Sequence, residues 1–577
     1  MGAPAETADW VSRFADEVIA EAERRAQGKP VEKIVCASGI SPSGPVHLGN
    51  LREVMTPHLV ADEIKRRGLP CEHLISWDDY DRFRKVPQGV PGVDASWSEH
   101  IGKPLTSVPD PCGDGTHASW AEHFKEPLVA ALGELGIDFR GISQTEMYTA
   151  GAYREQILFA MRHRGDIDAV LGQYRTKAQP RKQGQKPLDE AEVAAAEGSG
   201  AAGEDDGSTA GGAYYPYKPY CTVCDRDLTT VTSYDEETTE LRYTCECGHA
   251  ESVLLSGFDG GKLVWKVDWP MRWAYEGVVF EPSGVDHSSP GSSFQVGGQL
   301  VGLFGGEQPI GPMYAFVGIS GMAKMSSSKG GVPTPAEALE IMEPALLRWL
   351  YARRRPNQSF KIAFDQEIQR TYDEWDRLAA KVADGSALPG DTAAYSRASA
   401  TAAGALPTTP RPLPYRMLAS VTDITAGHDD QTLRILSEID PERPLASLDE
   451  ARPRLDRAER WISTQVDPAE RTRVREEADT GLLDSLDDTQ RASLRLLAEG
   501  LEANWSLEGL SSLVYAVPKI QAGLDPAAKA STPELKAAQR SFFALLYRLL
   551  VSDETGPRLP TLLLAVGAER VRKLIGE

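Results

Sequence analysis

Between residues 34 and 77 the chain spells out a strand, a glycine-rich loop, a helix and a second strand. The apolar run Ile34–Ala37 leads into the loop SGISPSGPVHLGN. A helix is expected from near Leu48 to about Arg67, and His73–Trp77 reads as the next strand, ending in Asp78, Asp79 and Asp81. Strands joined by a helical crossover lie parallel, so this segment points to an α/β fold on a parallel sheet. Such sheets bind ligands at the carboxyl ends of their strands, where both the glycine loop and the acidic run fall.

The 577-residue chain is long enough for about three or four domains. Trp10, Val11, Phe14, Val18 and Ile19 recur at helical spacing, so residues 5–27 are expected to form an amphipathic helix. Residues 86–118 read as loop and 119–165 as helical. Residues 184–213 are acidic and of low complexity, and are expected to form a disordered surface insertion. Strands and glycine-rich loops are expected to return over 262–330. From Thr334 onward the pattern is helical, broken by a linker near 384–412.

No apolar run reaches the ~18 residues of a membrane span, so no membrane partner is expected. The first eighteen residues are acidic and amphipathic, unlike an export leader. Seven cysteines in a long chain argue against a disulfide framework and for a reducing, cytoplasmic setting. The net charge is −22, so any nucleic-acid contact needs local basic patches. Two are present: Arg162, Arg164, Arg175, Lys177, Arg181, Lys182 and Lys186, and the triplet Arg353–Arg355.

Two loops carry phosphate chemistry. In the first, Gly39, Gly44 and Gly49 let the backbone approach a ligand, the helix that follows offers its N-terminus to a phosphate, and His47 adds a donor. The second, GMAKMSSSKGG over 321–331, sets two lysines and three serines between glycines, a combination suited to a mobile clamp on polyphosphate. Each alone also reads as an ordinary glycine turn or a solvated linker. The order of the two across one α/β region is what gives them meaning.

Four of the seven cysteines crowd into one 27-residue window: Cys221-x-x-Cys224, 20 residues, then Cys245-x-Cys247. Two close pairs across a hairpin-length spacer suit a tetrahedral structural zinc site, with His249 as a spare donor. Cys36, Cys71 and Cys112 read as ordinary reduced thiols.

In these motifs the chain resembles a class I aminoacyl-tRNA synthetase. The HIGH-type motif reads His47-Leu48-Gly49-Asn50, and the KMSKS-type loop reads Lys324-Met325-Ser326-Ser327-Ser328 with Lys329 beyond. The stretches ASGISPSGPVHLGN, SWDDYDRFRKVP, WKVDWPMRW, FEPSGVDHSSPGSS, KMSSSKG and GPRLPTLLLAVG are similar to the class I type of lysyl-tRNA synthetase over most of the chain. Val285 stands where that family usually has Lys.

The resemblance implies a Rossmann-like parallel-sheet catalytic domain with a zinc-bearing insertion and an all-helical C-terminal domain. Residues 1–118 and 263–333 would be its two halves, 119–262 the insertion, and 334–577 the helical tRNA anticodon-binding region. It implies ATP, L-lysine and tRNA(Lys) as partners, Mg2+ on the phosphates, structural Zn2+ on Cys221, Cys224, Cys245 and Cys247, and a monomer. His47, Asn50 and Lys324 would be catalytic. ATP would meet Pro42, Ser43, Gly44, His47, Gly49, Asn50, Asp286, His287, Lys324, Met325, Ser326, Ser327 and Ser328. Lysine would meet Gly39, Ser41, Asp79, Trp265, Trp269 and His287.

A lysine ammonium in a partly dry pocket needs carboxylate acceptors. Asp78, Asp79, Asp81, Asp268, Glu281 and Asp286 are the candidates, any of which also reads as a surface charge or salt bridge. Two other readings stay open at this point. One is a class I synthetase for glutamate or cysteine. The other is a non-catalytic, zinc-bearing tRNA binder, which would show no ATP–pyrophosphate exchange even with tRNA present.

Overall fold

The computed structural model describes residues 9–175, 213–285, 292–320, 332–439, 442–527 and 532–577. The acidic stretch 184–213 lies, but for its last residue, outside them. Two compact units emerge from the chain's internal packing: Met1–Leu339 with Pro344–Ala363 and Leu378–Leu406, and Glu340–Glu343 with Phe364–Arg377 and Pro407–Glu577.

The first unit is organised by a four-stranded, all-parallel sheet. Helix α1 (Trp10–Ala26), strand β1 (Ile34–Ile40), helix α2 (Leu51–Arg66) and strand β2 (Cys71–Trp77) open the chain. Helix α3 (Trp120–Glu134), strand β3 (Arg140–Ser143) and helices α4 (Gln144–Thr149), α5 (Arg154–Arg162) and α6 (Arg164–Arg175) follow. Strand order is β3-β2-β1-β9, with β9 at Val278–Phe280. β1 pairs with β2 from Ile34↔Cys71 to Ile40↔Trp77, so both strands end level at Ile40 and Trp77, with Asp78 and Asp79 following directly.

α2 buries Leu51, Val54, Met55, Leu59, Val60 and Ile64. On the other side of the sheet, helix α7 (Trp265–Glu276) sets Trp269 and Trp273 against Val35, Ala37, Leu74 and Ile142. The expected βαβ start is therefore present, with α2 beginning three residues later than expected.

Two expectations are corrected. A strand, β3, interrupts the stretch expected to be helical over 119–165, and the strands expected over 262–330 are present at Val278–Phe280, Ser283–Gly284, Met313–Tyr314 and Val317–Ile319 but are preceded by a helix, α7, that was not expected. Only Ile142 of β3 is buried, so its apolar signal is one residue long. In α7 the i, i+4, i+8 spacing of Trp265, Trp269 and Trp273 is helical, and Pro270 obscures it, since proline inside a helix removes a hydrogen bond. Similarly, the linker expected near 384–412 contains a helix, Pro389–Ser399, and a short hairpin, Ala400–Ala405.

The cysteine-rich insertion is a three-stranded antiparallel sheet, β5 (Thr229–Tyr234), β6 (Glu240–Cys245) and β7 (Ala250–Leu254), beside an antiparallel pair, β4 (Tyr217–Pro219) and β8 (Gly261–Leu263). Its buried tyrosines join α5 and α6 in one core. The second unit is helical. Buried Leu494, Leu497, Leu510, Leu546, Leu549 and Leu562 centre one of its clusters, and Arg454, 2% exposed, bridges Glu343 and Asp376 beneath the ring of Tyr372.

Candidate active site

The loop from β1 to α2 is closed by its histidine. Gly49 and Asn50 donate their N–H groups to His47 Nδ1 at 3.0 and 3.3 Å. A ring nitrogen that accepts has no proton, so the proton of the neutral ring sits on Nε2. Burial holds the ring's pKa down to about 4, and His47 is a neutral donor at physiological pH. Asn50 N-caps α2 with its side chain turned back, its Oδ1 accepting from the His47 N–H at 3.3 Å. Leu48 anchors the loop from behind, its N–H donating to Pro333 O and its carbonyl accepting from Tyr351 Oη. Pro333 lies two residues beyond the 321–331 stretch, so the chain emerging from the KMSSS segment packs against the HLGN turn. In the same loop Pro42 is buried, Gly44 half-buried, and Ser41 and Ser43 exposed.

At the end of β1, Gly39 faces acid. A Cβ placed there would lie 3.7 Å from Asp78 Oδ2 and 3.7 Å from Glu53 Oε1. Glu53, in the first turn of α2, accepts from Gly39 N–H at 3.1 Å and from Tyr314 Oη at 2.9 Å. Burial pushes its carboxyl up to about 8 against the pull of Tyr314, and the nearby charge of Glu281 adds to the rise. Glu281, 5% exposed, accepts from the indoles of Trp269 and Trp273 at 3.0 and 2.6 Å. Burial raises it to about 7, opposed by both indoles. A small cavity opens here, lined by Gly39, Ser76, Gln144, Trp265, Arg272 and Glu281 among others. Trp265 and Trp269 stack along it, centroids 5.1 Å apart.

Beneath the pocket lies a chain of buried charges. Asp78 Oδ1 pairs with Arg272 Nη1 at 2.7 Å, Arg272 Nη2 with Asp268 Oδ2 at 3.3 Å, and Lys262 Nζ with Asp268 and Asp81 at 3.7 and 2.5 Å. Tyr148 Oη donates to Asp268 at 2.5 Å. Asp268 and Asp81 are thus committed to protein cations. Asp79 accepts from the Thr145 N–H at 2.8 Å, at the start of α4, whereas the acids beside Gly39 are Asp78 and Glu53.

The four clustered cysteines converge, their sulfurs all within 4.8 Å of one another. Cys221 and Cys247 sulfurs are 3.8 Å apart, and Cys224 and Cys245 sulfurs 3.6 Å. Disulfide sulfurs lie at about 2.05 Å, whereas a zinc tetrahedron with bonds of about 2.3 Å has edges of about 3.8 Å. The donor set fits zinc. His249 Nε2 lies 3.3 Å from Glu251 instead.

A second group went unread in the sequence. Asp110, Cys112 and His123 bring a carboxylate oxygen, a sulfur and Nδ1 within 4.8 Å of one another, with His117 beside Asp110 at 3.4 Å. The pattern Asp-x-Cys-x4-His-x5-His was available as a signal, and these donors could hold a metal.

Glu53 gives no signal of this role in the sequence, because acids are enriched in the first turn of any helix. Asp286, His287, Lys324, Met325, Ser326, Ser327 and Ser328 lie outside the described residues.

Comparisons with known proteins agree with this architecture. The family described as tRNA synthetases class I (K) matches residues 8–402. A lysine–tRNA ligase of Streptomyces coelicolor is 73% identical over 99% of both chains. Lysine–tRNA ligases of Treponema pallidum and Pyrococcus horikoshii are 30% and 31% identical, each over 98% of both chains. The chain belongs to the class I lysyl-tRNA synthetase family.

Proposed function

We propose that this chain ligates L-lysine to tRNA(Lys) through a lysyl-adenylate, consuming ATP and releasing pyrophosphate and AMP. Family membership over the whole chain supports the reaction. The observation that carries the substrate is the acid around Gly39: Glu281 lines a cavity walled by stacked tryptophans, and Glu53 and Asp78 lie against Gly39 at its edge. Carboxylates answer the ammonium groups of lysine, and Trp265 and Trp269 suit its methylenes. We assign the lysine contact to Glu53, with Gly39 and Ser41 beside it.

In this reading ATP lies along residues 42–50 with its phosphates at the N-terminus of α2. The lysine carboxylate attacks the α-phosphorus and pyrophosphate leaves, so no protein nucleophile is needed. Catalysis is positioning and charge stabilisation. His47 donates from Nε2–H, and the side-chain amide of Asn50 donates beside it. We assign the closing contact on the leaving pyrophosphate to Lys324 and Ser326–Ser328, supported by the Leu48–Pro333 hydrogen bond, which brings the chain after that segment to the loop. Asp286 and His287 would face adenosine or lysine, and Mg2+ would accompany the phosphates. The activated carbonyl then passes to the 2′-hydroxyl of the terminal tRNA ribose.

Zn2+ on Cys221, Cys224, Cys245 and Cys247 would be structural, since four protein ligands leave no open position. The helical region from 334 would contact the anticodon end of tRNA. Among the described residues no helix is long and apolar enough to cross a membrane. The seven cysteines form no disulfide, which supports a reducing, cytoplasmic setting. Charging of total tRNA with labelled lysine tests the proposal. Stable lysyl-tRNA is expected from the natural chain and much less from Glu53→Ala, and a natural chain that charges no lysine would overturn it.

A further inference from the structure

We propose that lysine enters this site in exchange for a proton, because two carboxylates at the cavity, Glu281 in its lining and Glu53 against Gly39 at its edge, have no cationic partner among the described residues. The inference rests on the reading of the cavity as a lysine pocket. Glu281 lines it, Glu53 and Asp78 lie against Gly39 at its edge, and among the described residues Asp78 alone of the three is answered by a cation, Arg272. The other buried cation nearby, Lys262, is spent on Asp81 and Asp268.

Glu53 is met by neutral or like-charged groups from every described element around it. These are the Gly39 amide from β1, the Tyr314 hydroxyl, and the carboxylates of Asp78 and Glu281. Its neighbour on α2, Arg52, is turned to the carbonyls of Arg355 and Gln358. Glu281 is met by two indole N–H groups from α7, with Asp78 raising it and Arg272 lowering it from beyond ion-pair distance. Among the described residues neither carboxylate forms an ion pair.

A carboxylate in dry surroundings without a cation takes a proton instead of holding its charge. The directions at both groups agree, since burial raises each into the neutral range. An ammonium arriving at ion-pair distance reverses this, because an opposite charge lowers a carboxyl by 1–3 pH units. The proton then leaves and the site's charge is unchanged. A neutral side chain cannot drive that exchange, so it would leave the acids protonated and the pocket unfilled by charge. This makes the two glutamates specificity-determining residues acting together, and lysine affinity rises with pH until both are ionised.

Titration calorimetry of L-lysine into the full chain, at pH 7.5 in phosphate and in Tris, tests this. The buffers differ in ionisation enthalpy, so the difference in heat counts protons. About one-half to one proton is expected to leave per lysine bound, and lysine affinity should weaken several-fold from pH 7.5 to 6.0. Glu53→Gln should reduce the release, leaving only the part that Glu281 contributes. Heats independent of buffer together with an affinity flat from pH 6 to 8 would overturn the inference while leaving the ligase reading intact. Failure of lysine to bind with or without tRNA, in a chain that also charges no lysine, would overturn both.

Discussion

The hydroxyl of Tyr314 donates to Glu53 at 2.9 Å, while the same carboxylate takes the amide of Gly39 at 3.1 Å. One side chain from α2 thereby ties the end of β1 to a segment 261 residues away, and its position at the cavity is held from two sides.

Removing that clamp should act on lysine and spare ATP. A hydrogen bond to a charged group is worth ~1.5–3 kcal/mol, so Tyr314→Phe should raise the KM for lysine roughly 10-fold or more. Glu53→Gln should raise it further. Steady-state charging assays with lysine and ATP varied separately check this. Equal rises in both KM values would remove Glu53 from lysine recognition.

His47 is predicted to work as a neutral donor. Its Nδ1 is occupied by two backbone amides and its pKa lies near 4. Depressed this far, it stays uncharged throughout pH 5.5–8, so no activity change in that window should trace to it. His47→Ala should lower kcat by about 10²–10³, the cost typical of a lost transition-state donor. A pH–rate comparison of the natural chain with His47→Asn is the check.

Lys324→Ala should lower kcat by about 10²–10³ or more with a smaller effect on lysine binding, the pattern of an interaction made mainly in the transition state. Single-turnover adenylate formation measures it, and an unchanged rate would remove Lys324 from that role.

The cysteine cluster predicts metal. The chain purified without chelator should carry tightly held zinc, and Cys221→Ser with Cys245→Ser should lose one equivalent, read by elemental analysis. The same variant should melt at a lower temperature, because the β5–β7 sheet loses its cross-link. If Asp110, Cys112, His117 and His123 bind a second ion, Cys112→Ser should lose another equivalent independently.

What could be read from sequence was local. The β1–loop–α2–β2 order announced itself because strand, glycine turn and helix follow within 44 residues, and Cys221–Cys247 because ligand spacing is short-range. Pairings across long separations were not legible. Glu53 carries no local signal, because its partners Gly39 and Tyr314 lie 14 and 261 residues away, and Asp268 reads as a candidate lysine ligand although Arg272 and Lys262 claim it. β3 is too short to show alternation, and Pro270 hid α7. Cys112 read as a lone thiol because its partners Asp110 and His123 converge only through the turn before α3.

The central claim is that this pocket activates lysine. ATP–pyrophosphate exchange, run with each of the twenty amino acids singly and with or without total tRNA, tests it most directly. The account predicts exchange with lysine alone among them. Exchange with glutamate or cysteine in its place, or none under any condition from a folded, metal-loaded chain, would contradict it.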